Sequence, residues 1–363
     1  MMIHKSLRQL DFLLISSALL LLGCGLITAY SLSQGGTGSD LHLKQLARIG
    51  IAFLVCLFFL YIDFEILTYY SVVLYGFLLL LLLGVLFFGT EINNSRSWIG
   101  IGGFRIQPSE PGKIVLILFL ASLLGQVKIE YLRFSKLIQC GLLGMAPVVL
   151  ILLQGDLGTA VMYAPILAGM LWMSGIRTKV IIIILLCMLL AAPAGWMVLK
   201  DYQKLRIKAV FNPDLDPQGI GYQTRQSLIA MGSGGLLGKG IGKGLHAQLG
   251  YVPESHTDFV YTLMVEETGF IGGFAVLLLY LILLWRMLEI ARNARNRTAL
   301  LISVGVISFF FSHLVINVGM ATGLLPAIGI PLPFLSYGGS SLLASAAALG
   351  LILNVNLRRF ANT

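Results

Sequence analysis

Apolar residues run along this chain in long stretches separated by short polar segments. About 20 apolar residues are enough to cross the roughly 30 Å of a bilayer's hydrocarbon core. Ten stretches meet that length: about 11–32, 45–62, 67–89, 111–127, 137–153, 157–174, 179–199, 259–285, 299–323 and 333–357. The first has no small-residue cleavage site after it and is followed by many further apolar runs, so it reads as a span rather than a secretion signal. The sizeable polar interruption, about 200–258, is too short and too rich in glycine to be an enzyme domain of its own, so residues 1–363 read as a single integral membrane domain. Within it, Tyr222 to Met231 has the pattern of a short amphipathic helix stopped by Gly232-Ser-Gly-Gly235, and Asn212-Pro-Asp-Leu-Asp-Pro217 is turn chemistry. A second polar segment, Asn93 to Glu110, is dotted with glycine and carries Trp98. No internal repeat of the transporter kind is visible.

Composition agrees with this pattern. The 363 residues are 57% apolar and only 11% charged, against about 25% charged in soluble domains, and mean hydropathy is +0.90. The fold class expected is an all-α polytopic membrane protein of about ten transmembrane helices. Cys24, Cys56, Cys140 and Cys187 all fall in apolar runs without metal or redox spacing. The net charge of +9 matters through its placement, not as a signal for nucleic acid. An even number of spans puts both termini on one side. That side holds 13 of the 25 Lys and Arg in its short segments, against five in short segments and helix ends opposite and seven in the long loop. The positive-inside rule therefore predicts cytoplasmic termini and an extracytoplasmic long loop. Of the 16 acidic residues, 11 sort to the outer side, an asymmetry with no topogenic cause.

Four outer features carry candidate chemistry. Glu254, His256 and Asp258 run directly into an apolar span, which places a carboxylate at a membrane lip where it is costly; N-capping of the following helix is the plain alternative. His256 reads as a hydrogen-bonded anchor rather than a metal ligand. Gln107-Pro-Ser-Glu-Pro-Gly-Lys113 puts Glu110 and Lys113 on one helix face, as a structural ion pair or as part of a site. Gln154-Gly-Asp-Leu-Gly158 puts Asp156 in a tight link, as a helix cap or a site residue. Gly238-Lys-Gly-Ile-Gly-Lys-Gly244 is a basic glycine loop preceded by Lys204, Arg206 and Arg225. Ser233 and Gly240 break the P-loop pattern around Lys239. The loop is either a linker or a nest whose N–H groups and lysines cradle a diphosphate. A charged outer cavity of this kind suits a substrate with an anionic head and a lipid tail. Two classes then stay open, a lipid-linked glycosyl or phosphoryl transferase and a lipid transporter.

The chain resembles the SEDS family (shape, elongation, division and sporulation proteins) over nearly its whole length. The most specific stretch is Asn317-Val-Gly-Met-Ala-Thr-Gly-Leu-Leu-Pro-Ala-Ile-Gly-Ile-Pro-Leu-Pro-Phe-Leu-Ser-Tyr-Gly-Gly-Ser-Ser341, in which Ala327 is smaller than the family pattern. Ser95-Arg96-Ser97-Trp98 resembles the family's basic-Trp motif, with Ser97 where many members have Arg. Gln107-Pro-Ser-Glu110 with Lys113, Asp156-Leu-Gly158, Asp201-Tyr-Gln-x-x-Arg206, Ile229 to Gly235 and His256-Thr-Asp-Phe259 also match. The resemblance implies a peptidoglycan glycosyltransferase of the bacterial inner membrane. Such a protein polymerises lipid II and works with a class B penicillin-binding protein in the elongation machinery. Asp258 is then the essential acid, with Arg96, Trp98, Glu110, Lys113, Asp156, Arg206, Lys239, His256 and Ser336 binding substrate or supporting the site. An aspartate near its ordinary pKa of about 3.9 is a weak base; a half-dry membrane edge would make it a stronger one. The leaving undecaprenyl diphosphate would be neutralised by Lys113, Arg206 or Lys239, or by a divalent cation (magnesium or manganese) with Asp258 as a candidate ligand. No organic cofactor is expected. A lipid II flippase, a division or sporulation relative with the same activity, and a scaffold are the competing readings.

Overall fold

The computed structural model describes residues 10–34, 40–92, 95–101, 104–126, 132–180, scattered positions between 182 and 210, 219–249, 251–252, 254 and 256–359. Helices dominate: α1 (Phe12–Gln34), α2 (Leu41–Tyr61), α3 (Phe64–Tyr69), α4 (Ser71–Phe88), α5 (Ser109–Gly125), α6 (Phe134–Leu153), α7 (Leu157–Met173), α8 (Ile220–Gly234), α9 (Leu245–Gln248), α10 (Val260–Arg292), α11 (Arg297–Ala321) and α12 (Gly339–Arg358). Among the described residues, seven of these (α1, α2, α4, α6, α10, α11 and α12) are long and apolar enough to cross a membrane. The apolar helices α5 and α7 are shorter, at 17 residues each. A helix meets every predicted span outside 179–199; that stretch lies largely outside the described residues, and its described positions are helical.

Three boundaries differ from the sequence reading, each for a local reason. The stretch 67–89 is two helices, because Asp63 caps α3 by accepting from Glu65 N–H at 2.9 Å and α4 starts only after Tyr70. The last span begins at Gly339 rather than 333, after an irregular segment with positive φ at Gly323, Gly329 and Phe334. The helix α10 runs to Arg292 and is broken at Gly269, whose φ of 72° and ψ of −171° are not helical. The polar segment before α5 folds into a small antiparallel sheet, β1 (Thr90–Ile92), β2 (Ser95–Ile101) and β3 (Phe104–Ile106), in the order β1-β2-β3. The amphipathic helix expected at 222–231 is α8, ended by Gly235 at positive φ.

The core sits on α5, α11 and α12, which are buried along most of their length. Lipid tails are as apolar as leucine, so helices in a bilayer associate through close packing of small residues. The α12 segment Gly339-Ser-Ser-Leu-Leu-Ala-Ser-Ala-Ala-Ala348 is of that kind and packs on α2. At Gly350 any side chain would strike the Cys56 carbonyl. Asn354 donates to the Phe59 and Leu60 carbonyls at 2.9 Å and to that of Ile62, satisfying the open end of α2. At the same end, Arg286 pairs with Asp11 and Arg358 with Asp63, both at 2.6 Å.

Candidate active site

Asp258 lies in the turn before α10. The cap position of that helix belongs to Phe259, which offers no side-chain cap. Its neighbours are held through their backbone. Ser336 Oγ donates to the Thr257 carbonyl at 2.6 Å and accepts from Leu332 N–H at 2.7 Å. Asn317 Nδ2 donates to the Asp258 carbonyl at 2.8 Å and to that of Ile330 at 2.6 Å. Tyr337 N–H donates to the His256 carbonyl at 2.9 Å, while the His256 side chain lies with Nε2 3.9 Å from Glu254. The Asp258 side chain borders Gly329, where a Cβ would stand 3.1 Å from Oδ2. The Arg48 guanidinium lies 4.1 Å over the Tyr337 ring and brings a cation to the same lip.

Asp156 enters from α7. It caps that helix, accepting from Thr159 N–H at 3.0 Å and Thr159 Oγ1 at 2.8 Å, and it also accepts from Gln107 Nε2 at 2.5 Å. Gln107 N–H in turn donates to Ser340 Oγ at 3.1 Å. A side chain at Gly158 would strike the Ile328 carbonyl, so the start of α7 abuts the same 328–329 backbone that borders Asp258. The turn carrying Asp156 and the side chain of Asp258 thus meet the same irregular segment.

Glu110 and Lys113 form a buried pair at 2.8 Å. Lys113 Nζ also lies 3.1 Å from His313 Nε2, while His313 Nδ1 donates to the Phe309 carbonyl at 2.8 Å. The pair sits inside the bundle. His313 is one helical turn along α11 from Asn317, so a single helix carries both the anchor of Asp258 and the partner of Lys113. His313, Asn317 and Arg48 were not singled out as site residues by sequence reasoning. A lone polar residue in an apolar span is the available signal for the first two.

The glycine loop does surround anions, and they are the chain's own. Lys239 Nζ meets Glu266 Oε1 at 2.7 Å, joined there by His246 Nδ1 at 3.0 Å and His246 N–H at 3.2 Å. Glu267 Oε1 accepts from Gly242 N–H at 3.1 Å and from Ser31 Oγ. Lys239 and the Gly242 amide, expected at a diphosphate, are therefore taken up by α10. Buried carboxylates need such partners, and the kink beside them explains why the loop is there. Trp98 and Arg96 sit on β2. The Arg96 side chain is exposed beside Glu91, and the Arg96 backbone N–H donates to the Gln154 carbonyl at 2.9 Å, tying the sheet to the Asp156 turn. Asp201 and Arg206 lie outside the described residues. Among the described residues no three of His, Cys, Asp or Glu gather as a metal site.

Fold and site together define a class: a polytopic helical membrane protein with a carboxylate held on irregular backbone at one end of its bundle. Residues 10–360 match the FtsW/RodA/SpoVE cell cycle protein model, and the chain belongs to that family. Stage V sporulation protein E of Bacillus subtilis (strain 168) is 38% identical over 357 residues, covering 95% of this chain and 96% of its own. Peptidoglycan glycosyltransferase RodA of Treponema pallidum (strain Nichols) is 31% identical, covering 98% and 99%. Among solved structures, a chain of a peptidoglycan synthase complex that coordinates polymerization and crosslinking superposes with a TM-score of 0.83 at 30% identity, covering 97% of this chain and 99% of that one. The rod shape determining protein RodA of Thermus thermophilus superposes with a TM-score of 0.73 at 28% identity, covering 97% and 98%.

Proposed function

We propose that this chain is a peptidoglycan glycosyltransferase of the bacterial cytoplasmic membrane that polymerises lipid II into glycan strands at its extracytoplasmic face. Relatives matched over most of their own length carry that activity in their names. The observation that carries the reading is the carboxylate of Asp258, whose backbone is fixed by Ser336 and Asn317 and whose side chain borders Gly329.

In the reaction, the 4-hydroxyl oxygen of an acceptor GlcNAc bonds to the anomeric carbon of a lipid-linked MurNAc. The bond from that carbon to the diphosphate breaks, and undecaprenyl diphosphate leaves with the electron pair. Asp258 takes the hydroxyl proton as general base. Arg48 is the cation on the described lip that can face the leaving charge, with Arg206 a further candidate. Lys113 and Lys239, each paired with a glutamate, act by holding helices in place. A class B penicillin-binding protein is the proposed partner that crosslinks the strands, and the similarity to a chain of a synthase complex supports it. Elongation and rod shape are the proposed setting, from Asp201-Tyr-Gln-x-x-Arg206 and Tyr251-Val-Pro-Glu254; spherical cells on depletion would support that, and unaltered rods would refute it.

Purified protein with lipid II, alone and with its partner, tests the activity by gel separation of glycan strands. Strands from the wild type and none from a folded Asp258→Asn variant are expected. Full polymerisation by Asp258→Asn would refute the base assignment. Lipid movement across liposomes without strands would make the chain a flippase.

A further inference from the structure

Helices α1 and α10 together fix the depth of the loop that packs on the α10 kink. Arg286 pairs with Asp11, the residue just before the apolar run of α1, and this pair marks one border of the hydrocarbon. Ser31 lies about 30 Å further along α1, which is the whole thickness of that core. Ser31 Oγ donates to Glu267 Oε1, so Glu267 stands at the other border. Below the kink, α10 rises about 24 Å from Arg286 to Phe270. Phe270 therefore lies about 6 Å inside the hydrocarbon, and a tilt of α10 would put it deeper. Phe270 and Ile271 N–H donate to the Gly235 and Leu236 carbonyls, and Gly238 N–H donates to the Gly234 carbonyl. These bonds hold residues 235–238 at the depth of Phe270 and satisfy the backbone groups involved, as hydrocarbon requires. Leu236 and Leu237 are nevertheless 70% and 80% exposed, beside exposed Phe270, Ile271 and Phe274 of α10. Charge begins only further along the loop, where Lys239 pairs with Glu266 and Lys243 is exposed.

We propose that Leu236 and Leu237 insert among the acyl chains of the leaflet at the Asp258 end of the bundle, so that lipid helps to hold the 235–249 loop on α10. Acyl chains are as apolar as leucine, and the patch continues the surface of a helix that spans the membrane. A soluble protein domain would have to enter hydrocarbon to cover it.

A nitroxide on Leu237→Cys tests this in nanodiscs of phosphatidylethanolamine and phosphatidylglycerol, in a full-length chain whose four native cysteines are replaced by alanine. Phe274→Cys is the lipid reference and Lys243→Cys the water reference. The label at 237 should collide more often with oxygen than with a soluble nickel chelate, as at 274, and the order should reverse at 243. Greater access to the chelate at 237 would place the loop in water, and little access to either reagent would mean protein covers it; each would overturn the proposal. Should the cysteine-free chain misfold, p-benzoylphenylalanine in place of Leu237 in the otherwise natural chain should photocrosslink to phospholipid, and crosslinks to protein alone would overturn the proposal equally. Leu236→Ser/Leu237→Ser should raise protease cleavage within 235–249 in the nanodisc on the order of tenfold; unchanged cleavage in that variant would show that lipid does not hold the loop.

Discussion

Gly269→Ala is the sharpest test of how the 235–249 loop is held. At Gly269 the backbone of α10 adopts φ 72° and ψ −171°, a region that is essentially glycine's alone. An added Cβ would collide with Gly238 N and the Leu236 carbonyl. The break frees helical groups, and the 235–240 backbone takes them up. Lys239 N–H donates to the Glu266 carbonyl at 3.1 Å and Gly240 N–H to that of Glu267 at 2.9 Å, while Phe270 and Ile271 N–H donate to the Gly235 and Leu236 carbonyls at 2.9 and 3.2 Å. Conformational strain of about 1–3 kcal/mol and the loss of some of these bonds, at about 1 kcal/mol each, sum to about 3 kcal/mol. That is roughly a hundredfold shift toward an undocked loop. Limited proteolysis in detergent reads it directly: cleavage within 235–249 should rise by about that factor, alongside a lower unfolding temperature. Gly76→Ala is the control, because nothing lies within 4 Å of the added Cβ there. Wild-type protease resistance and unfolding temperature in Gly269→Ala would refute the account of the kink.

Three further outcomes follow from the site. Lys113→Met leaves Glu110 buried without its cation and should cost about 3–5 kcal/mol, whereas Glu110→Leu with Lys113→Met should recover most of that; chemical unfolding of a double variant no more stable than the single would show that the pair is not mainly structural. Asp156→Ala removes the cap of α7 and should cost about 1 kcal/mol, and a thermal melt indistinguishable from wild type would contradict that role. Ser336→Ala frees the Thr257 carbonyl and Leu332 N–H, and glycan-strand formation should fall more than stability does; equal losses would make Ser336 a fold residue only.

The spans were legible in the sequence because a bilayer demands length and hydrophobicity that few other structures need. Asp156 and Asp258 were legible as carboxylates at helix ends for the same reason. The role of the glycine loop was not. Gly238 to Gly244 has the composition of an anion nest, and it is one, but the anions come from Glu266 and Glu267 on an apolar helix that pattern alone extends straight through Gly269. Glycine inside an apolar run signals close packing as readily as a break, so the kink and its partner loop become visible only in three dimensions. His313 was hidden likewise. Nothing local links it to Lys113, 200 residues earlier.

The segment between α11 and α12 shows why position and stability are linked at this site. Irregular backbone near a membrane is tolerated only when its polar groups are satisfied within the protein. Here Asn317 takes the Ile330 carbonyl, Ser336 Oγ takes Leu332 N–H, and Leu324 and Leu325 N–H both turn back to the Gly319 carbonyl. Asn317 Nδ2 and Ser336 Oγ also donate to the carbonyls of Asp258 and Thr257. The bonds that satisfy the loop are therefore also the ones that fix the backbone carrying Asp258. A substitution that loosens the segment must also displace Asp258, even where it touches no substrate. Activity should therefore be lost at Asn317 and Ser336 before the fold is, with Asp258 itself intact.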